Sequence, residues 1–161
     1  MSELRVGLGV DLHRFAAGAE ADGAPLTLGG VHFAGERPLV GHSDADAIAH
    51  AVADAVLGAA GLGDMGGHFP DTDAAWRGAD SLGLLTAAVA EAAAAGWRFV
   101  NADCTLVAER PRVAEVREEM VERLSDAAGG PVHVKATRPE GLGSLGRVEG
   151  VACLAVALLE R

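Results

Sequence analysis

His42-Ser43-Asp44-Ala45-Asp46-Ala47-Ile48-Ala49-His50-Ala51-Val52-Ala53-Asp54-Ala55-Val56-Leu57-Gly58-Ala59-Ala60-Gly61 decides the fold. Ser43 and Asp46 form a capping arrangement, apolar residues follow at helical spacing, and Gly61 supplies a C-terminal stop, so 45–60 is expected to be a helix. The residues around its polar stripe are almost all Ala, Val, Ile and Leu, so the helix is expected to be mostly buried. Upstream, Leu4 to Leu12 alternates apolar with small residues, and Leu26–Leu28 and Val31–Phe33 read as a hairpin on the Gly29-Gly30 turn. Downstream, helices are expected over 81–95, before Gly96, and over 113–128, before Gly129-Gly130. Strands are expected over 97–108 and 132–137; 151–159 is ambiguous by period, and its length and valines tilt it towards a buried strand. The order implies an α+β (mixed α/β) fold, a mixed β-sheet covered by helices, with 1–161 as a single domain. The polar, Gly-rich segments 16–24, 63–80 and 138–150 are expected to be loops, where sites are built.

Composition narrows the function classes. The 161 residues suffice for one core and not for two, half of them are apolar, and 22% are charged, which is globular composition. Aromatics are only 4%, with no Tyr, so the core per residue is small and a partner subunit is one way to bury more surface. The net charge of −10 argues against a nucleic-acid surface; an anionic ligand would need a few placed Arg or bound cations. The early charges Glu3, Arg5, Asp11 and His13 are unlike a signal peptide, and the longest apolar run, 151–159, is too short to span a bilayer. A cytoplasmic protein without membrane contact is expected. Cys104 and Cys153 sit in apolar strand-like runs and are expected to be reduced core thiols.

Three constellations carry candidate chemistry. Asp11 and His13 are two apart on a predicted strand and leave the same face. Asp46, His50 and Asp54 follow at steps of four along the helix, a polar stripe facing either solvent or the interior. Asp11, His13 and His50 together offer one carboxylate and two imidazoles, a zinc-type set with an open fourth position; Asp46 and Asp54 are candidate acceptors for the imidazole N–H groups. Gly63-Asp64-Met65-Gly66-Gly67-His68-Phe69-Pro70-Asp71-Thr72-Asp73 is either a ligand loop or a solvated one. Lys135-Ala136-Thr137-Arg138-Pro139-Glu140-Gly141-Leu142-Gly143-Ser144-Leu145-Gly146-Arg147 is either a Gly-rich turn or a phosphate cradle in which Glu140 holds a hard cation. His32, His68 and His133 have no spacing partner and are expected at the surface or hydrogen-bonded.

Taken in order, Gly9-Val10-Asp11-Leu12-His13-Arg14-Phe15, His42-Ser43-Asp44-Ala45-Asp46 with His50, Gly63-Asp64-Met65-Gly66, Phe69–Asp73, Lys135-Ala136-Thr137 and Arg147-Val148-Glu149-Gly150 resemble the 2-C-methyl-D-erythritol 2,4-cyclodiphosphate synthase family over nearly the whole chain. The resemblance implies a lyase of the non-mevalonate isoprenoid pathway, a homotrimer with active sites between subunits. In that reaction the 2-phosphate of 4-diphosphocytidyl-2-C-methyl-D-erythritol 2-phosphate attacks the β-phosphorus and expels CMP. It implies zinc on Asp11, His13 and His50, and a second cation, magnesium or manganese, on Glu140. His42 and Ser43 match substrate-positioning residues near the reacting phosphates, His42 also a transition-state stabiliser. Asp11, Leu12 and His13 border the substrate, Asp64, Met65 and Gly66 match the ribose turn, and Phe69, Pro70, Asp71, Thr72 and Asp73 match the loop over the methylerythritol. Ala108, Glu109, Arg110, Pro111, Arg112, Val113 and Ala114 match the cytosine segment. Thr137, Arg138, Pro139, Glu140, Ser144 and Arg147 complete the substrate and axial positions, with Arg147 and Glu149 near the trimer axis. One departure stands out: a run of three threonines is usual in this family, and here it is Thr137-Arg138-Pro139. Arg138 is therefore expected to offer a guanidinium to the diphosphate in place of a catalytic hydroxyl. Ser144, Leu145 and Val148 also depart from the usual residues. The competing readings are a metal-dependent phosphohydrolase on the same scaffold and a non-catalytic trimeric binding protein.

Overall fold

The computed structural model describes residues 2–21 and 24–161, so Asp22 and Gly23 of the expected 16–24 loop lie outside the described residues. In chain order the elements are β1 (Leu4–Arg14), β2 (Leu26–Leu28), β3 (Val31–Phe33), α1 (Ala47–Ala60), α2 (Met65–His68) and α3 (Ser81–Ala94). They continue with β4 (Arg98–Val107), α4 (Arg117–Ala128), β5 (Val132–Thr137), α5 (Gly143–Gly146) and β6 (Gly150–Glu160). The main sheet has the order β1-β6-β4-β5, with β4 and β5 parallel and the other pairs antiparallel; β2 and β3 form the hairpin on Gly29-Gly30. This is the mixed α+β architecture expected. The ambiguous 151–159 run is a strand paired on both edges in that sheet, with one apolar face in the core and the other, bearing Leu154 and Val156, exposed.

Helix α1 lies on β1 and β6, α3 packs on α1, and α4 covers β5 and touches α3. The close approach of α1 to the sheet is set by glycine. A Cβ on Gly7 would stand 2.0 Å from the Ala55 carbonyl oxygen, and one on Gly9 would stand 2.0 Å from that of Ala51. Alanines on the helix and glycines on the strand thus let two backbones meet, and the inner row of β1 runs Gly7, Gly9, Asp11, His13. Gly9→Ala should push α1 off β1 and pull His50 away from Asp11. Affinity for a divalent metal ion, measured by chelator competition, should fall together with the melting temperature, by about 1–3 kcal/mol in stability, the usual cost of overpacking.

The alternation along β1 is inverted relative to an ordinary half-buried strand. The large apolar side chains Val6, Leu8, Val10 and Leu12 point outward and are 68%, 62%, 47% and 63% exposed. Register places Leu8 opposite Val156 and Val10 opposite Leu154, both also exposed, so β1 and β6 present one continuous apolar face.

Several boundaries moved for local reasons. Asp46, not Ser43, caps α1, accepting from the N–H groups of Ile48 and Ala49. Helix α4 begins at Arg117 rather than 113, because Val113 is drawn into the core and 113–116 closes as a turn, with Val116 N donating to Val113 O at 3.2 Å. The expected loops 63–80 and 138–150 contain single helical turns; Asp64 and Asp73 cap those at Met65–His68 and Ala74–Trp76. Cys104 and Cys153 are free and buried, as expected. No described helix is long and apolar enough to cross a membrane.

Candidate metal centre and a neighbouring cleft

Asp11 and His13 leave the inner face of β1 just where its glycines end, and His50 stands one turn into α1 beyond the Asp46 cap. Asp11 Oδ2 lies 2.9 Å from His13 Nε2 and 3.2 Å from His50 Nδ1, and the two nitrogens are 3.4 Å apart. Ligands at 2.0–2.1 Å around a tetrahedral cation lie about 3.3 Å from one another, so the three atoms already have the spacing of one face of such a site.

Neighbouring groups set which atoms face inward. The Val40 carbonyl can only accept, so His13 donates its Nδ1–H to it at 2.8 Å and turns the Nε2 lone pair to the cluster. Asp44 accepts the Ser81 hydroxyl proton, which leaves the Ser81 oxygen to accept from His50 Nε2–H at 2.8 Å, with Ser43 Oγ 3.0 Å from the same nitrogen. His50 Nδ1 is then a lone-pair donor as well. Three electron-rich atoms converge with no protein cation among them, an arrangement that a divalent metal ion satisfies. The donor set therefore fits a metal ion.

Titration follows from the same geometry. Burial alone would raise the Asp11 carboxyl, yet the hydrogen bonds and charges of His13 and His50 hold it well below the usual range. Burial likewise works to lower His13, but Asp11 and the Val40 carbonyl leave it raised above its ordinary value. In the metal-free protein the His13 contribution to stability is full below the ordinary imidazole value and is lost as pH rises through the raised one. The Asp11 contribution is present above the ordinary carboxyl value and is lost as pH falls through the depressed one. The metal-free chain should accordingly be most stable in mildly acidic solution. Metal binding displaces the His13 proton, so affinity should fall steadily as pH drops below the raised His13 value; calorimetric titration in buffers of differing ionisation heat would record the proton release.

The expected roles of Asp46 and Asp54 are corrected. Asp46 is fully buried and spends both oxygens on backbone, accepting from Gly29 N at 2.8 Å and Gly30 N at 2.7 Å besides its own helix. Asp54 accepts from Met65 N at 3.1 Å and ties α2 to α1. The imidazole partners are Val40, Ser43 and Ser81 instead. Ser81 and Asp44 were not legible as members of the site, since Asp80-Ser81 looks like an ordinary helix start.

A cavity of about 450 Å³ opens over the cluster and brings in His42, Ser43, Met65, Gly66, Phe69 and Asp71, with Gly41, Trp76 and Leu84. His42 donates from Nε2 to the Asp73 carbonyl at 3.0 Å, and Phe69 meets Trp76 edge-on at 5.1 Å, which holds the 63–80 segment over the opening. Asp64 and Asp73 are engaged as caps, and the Leu12 side chain points to the opposite, outer face of β1.

Other candidates gather elsewhere. Leu106, Ala108, Glu109, 111–114, Thr137 and Arg138 line a separate cleft of about 330 Å³ between the ends of β4 and β5. Arg110 faces a broader neighbouring groove, paired with Glu36 at 2.7 Å. Glu140 and Ser144 are exposed, and Arg147, also exposed, pairs with Glu149 at 2.6 Å. Lys135, the chain's single lysine, pairs with Asp103. Within one chain, therefore, the metal cavity and the Thr137–Arg138 cleft share no residue.

Residues 4–160 match the YgbB family. The chain is 55% identical over 159 residues to the bifunctional enzyme IspD/IspF of Anaeromyxobacter sp. (strain Fw109-5), covering 97% of this chain and 40% of that one. It spans about two fifths of the length of the bifunctional relatives it matches. It is 54% identical to the 2-C-methyl-D-erythritol 2,4-cyclodiphosphate synthase of Rubrobacter xylanophilus, covering 100% of this chain and 98% of that one. Among solved structures, the Plasmodium falciparum IspF CDP complex superposes with a TM-score of 0.81 at 29% identity, covering 97% of this chain and 95% of that one.

Proposed function

The chain belongs to the YgbB family, and from that premise we propose that it is a metal-dependent lyase, a 2-C-methyl-D-erythritol 2,4-cyclodiphosphate synthase of isoprenoid biosynthesis. It closes 4-diphosphocytidyl-2-C-methyl-D-erythritol 2-phosphate on itself: an oxygen of the 2-phosphate forms a bond to the β-phosphorus, the bond from that phosphorus to the bridging oxygen breaks, and CMP leaves with the electron pair. The observation that carries the reading is the Asp11, His13, His50 set at tetrahedral spacing beneath a cavity edged by His42 and Ser43.

Asp11, His13 and His50 would hold zinc, and Glu140 a magnesium or manganese ion. Bound there, the cations supply Lewis-acid neutralisation of phosphate oxygens. The protein's own part is alignment. Ser43 stands beside the cluster where its hydroxyl can donate to phosphate oxygens, and His42 would do so by turning its Nε2–H from the Asp73 carbonyl to the substrate. Met65, Gly66, Phe69 and Asp71, with Asp64, Pro70, Thr72 and Asp73 on the same segment, enclose the sugar and the methylerythritol and exclude water. The cleft of Ala108, Glu109, Pro111, Arg112, Val113, Ala114 and Thr137, with Arg110 on the neighbouring groove, suits a flat pyrimidine approached by main-chain atoms, in keeping with the CDP bound by the Plasmodium relative. Arg138 adds guanidinium N–H groups towards the diphosphate.

A homotrimer joins the two halves. The exposed apolar face of β1 and β6 is the surface to bury, and the separation of metal cavity from nucleotide cleft within one chain is what a site shared between neighbouring subunits requires. Mixing two inactive variants tests this. In a trimer with shared sites, His50→Ala and Glu140→Ala subunits recombined at equal amounts leave one working site in each mixed trimer, and about a quarter of wild-type activity should return. Absence of any recovery, with mixed trimers shown by mass spectrometry, would contradict shared sites.

A further inference from the structure

Glu109 sits directly beyond β4, beside the turn that follows β5, and its side chain is only 10% exposed although it opposes an Arg138 that is 63% exposed. Its two oxygens are divided between two jobs. Oε2 accepts from Arg138 Nε at 2.9 Å and Nη2 at 2.7 Å, while Oε1 accepts from the Gly141 backbone N–H at 2.8 Å. The carboxylate thus grips the chain on both sides of Pro139-Glu140. Between those grips Glu140 has φ of 52° and Gly141 φ of 75°. A glutamate in the left-handed region is held there by its surroundings, since released backbone would return to ordinary dihedrals and swing the Glu140 Cβ elsewhere. Glu140 itself makes no hydrogen bond or ion pair among the described residues.

We propose that Glu109 is a positioning residue for the second cation: through Arg138 and the Gly141 N–H it fixes the turn that presents the Glu140 carboxylate. This rests on the reading of Glu140 as the holder of that cation. Arg138 has a matching part. By pairing with Glu109 it keeps a second carboxylate beside the turn from competing for the metal, while it acts on Glu140 only through space, with no hydrogen bond or ion pair between them. A guanidinium has five N–H groups, and the three not given to Glu109 stay available to a diphosphate.

The test is Mn2+ titration followed by electron paramagnetic resonance on the assembled, zinc-loaded protein with CDP present, for wild type, Glu109→Ala, Glu109→Gln and Glu140→Ala. Glu109→Ala should weaken Mn2+ binding by about tenfold or more, the usual effect of losing a group that orients a metal ligand, with zinc content unchanged. Glu109→Gln keeps an acceptor for the Gly141 N–H and should recover much of that loss. In turnover, the Mg2+ concentration for half-maximal rate should rise by a similar factor in Glu109→Ala and fall back in Glu109→Gln, a rescue by the conservative variant that general loosening of the fold would not give. Wild-type Mn2+ affinity in a zinc-replete Glu109→Ala protein, with binding lost in Glu140→Ala, would overturn the positioning role alone. Unchanged Mn2+ binding in Glu140→Ala would overturn the reading of Glu140 beneath it.

Discussion

Asp46→Ala should lower stability by about 4 kcal/mol, the sum of a lost helix cap and buried backbone donors left without partners. The side chain is fully buried and serves Gly29, Gly30, Ile48 and Ala49, at 2.8, 2.7, 3.1 and 3.2 Å. It therefore joins the diglycine turn to the N-terminus of α1, and four N–H groups lose their acceptor once it is gone. Differential scanning calorimetry should show the melting temperature down by about 10 °C, on the usual scaling for a chain of this size. Asp46→Asn, with one acceptor oxygen in place of two, should fall between. A melting temperature within a degree or two of wild type in Asp46→Ala would mean that the cap is dispensable.

His50→Ala should give the opposite pattern, with the fold kept and the chemistry lost. Removing one of three ligands leaves two, and bound zinc measured by atomic absorption should fall to background. CMP formation should drop about a thousandfold or more, because several kcal/mol of charge neutralisation in phosphoryl transfer depend on the cation. Metal-free His50→Ala should melt only modestly below the metal-free wild type, since His50 is partly exposed and what it gives up are its contacts with Asp11, Ser43 and Ser81. Ser81→Ala probes the support of the same ring. It removes the oxygen 2.8 Å from His50 Nε2 and should weaken zinc binding by about 10–100-fold without abolishing it.

Much of this molecule can be read from local sequence rules, and what escapes them is long-range. The helix on 47–60, the hairpin on Gly29-Gly30 and the strand 132–137 follow from periodicity, caps and turn chemistry that act over a few residues. Asp11 and His13 could be put on one face by alternation, whereas their meeting with His50 depends on Gly7 and Gly9 letting α1 settle on β1, which no spacing displays. The Asp46 stripe was misread for a related reason. At helical spacing Asp46 and His50 look like partners, but the capping position turns Asp46 towards the hairpin. Ser81 was invisible because its partner is 31 residues away and its neighbours look like a plain helix start. The outward apolar row of β1 is regular in sequence, yet alternation alone cannot say which of its two faces is inside.

The most direct measurement is the phosphorus spectrum of the protein incubated with 4-diphosphocytidyl-2-C-methyl-D-erythritol 2-phosphate, zinc and magnesium, with and without a chelator. The account predicts that the three substrate resonances give way to CMP and a pair of coupled resonances from a cyclic diphosphate, and that chelation stops the conversion. Inorganic phosphate in place of the cyclic product would point to a phosphohydrolase. An unchanged spectrum from protein with zinc bound would contradict the account and leave a binding protein built on the same site.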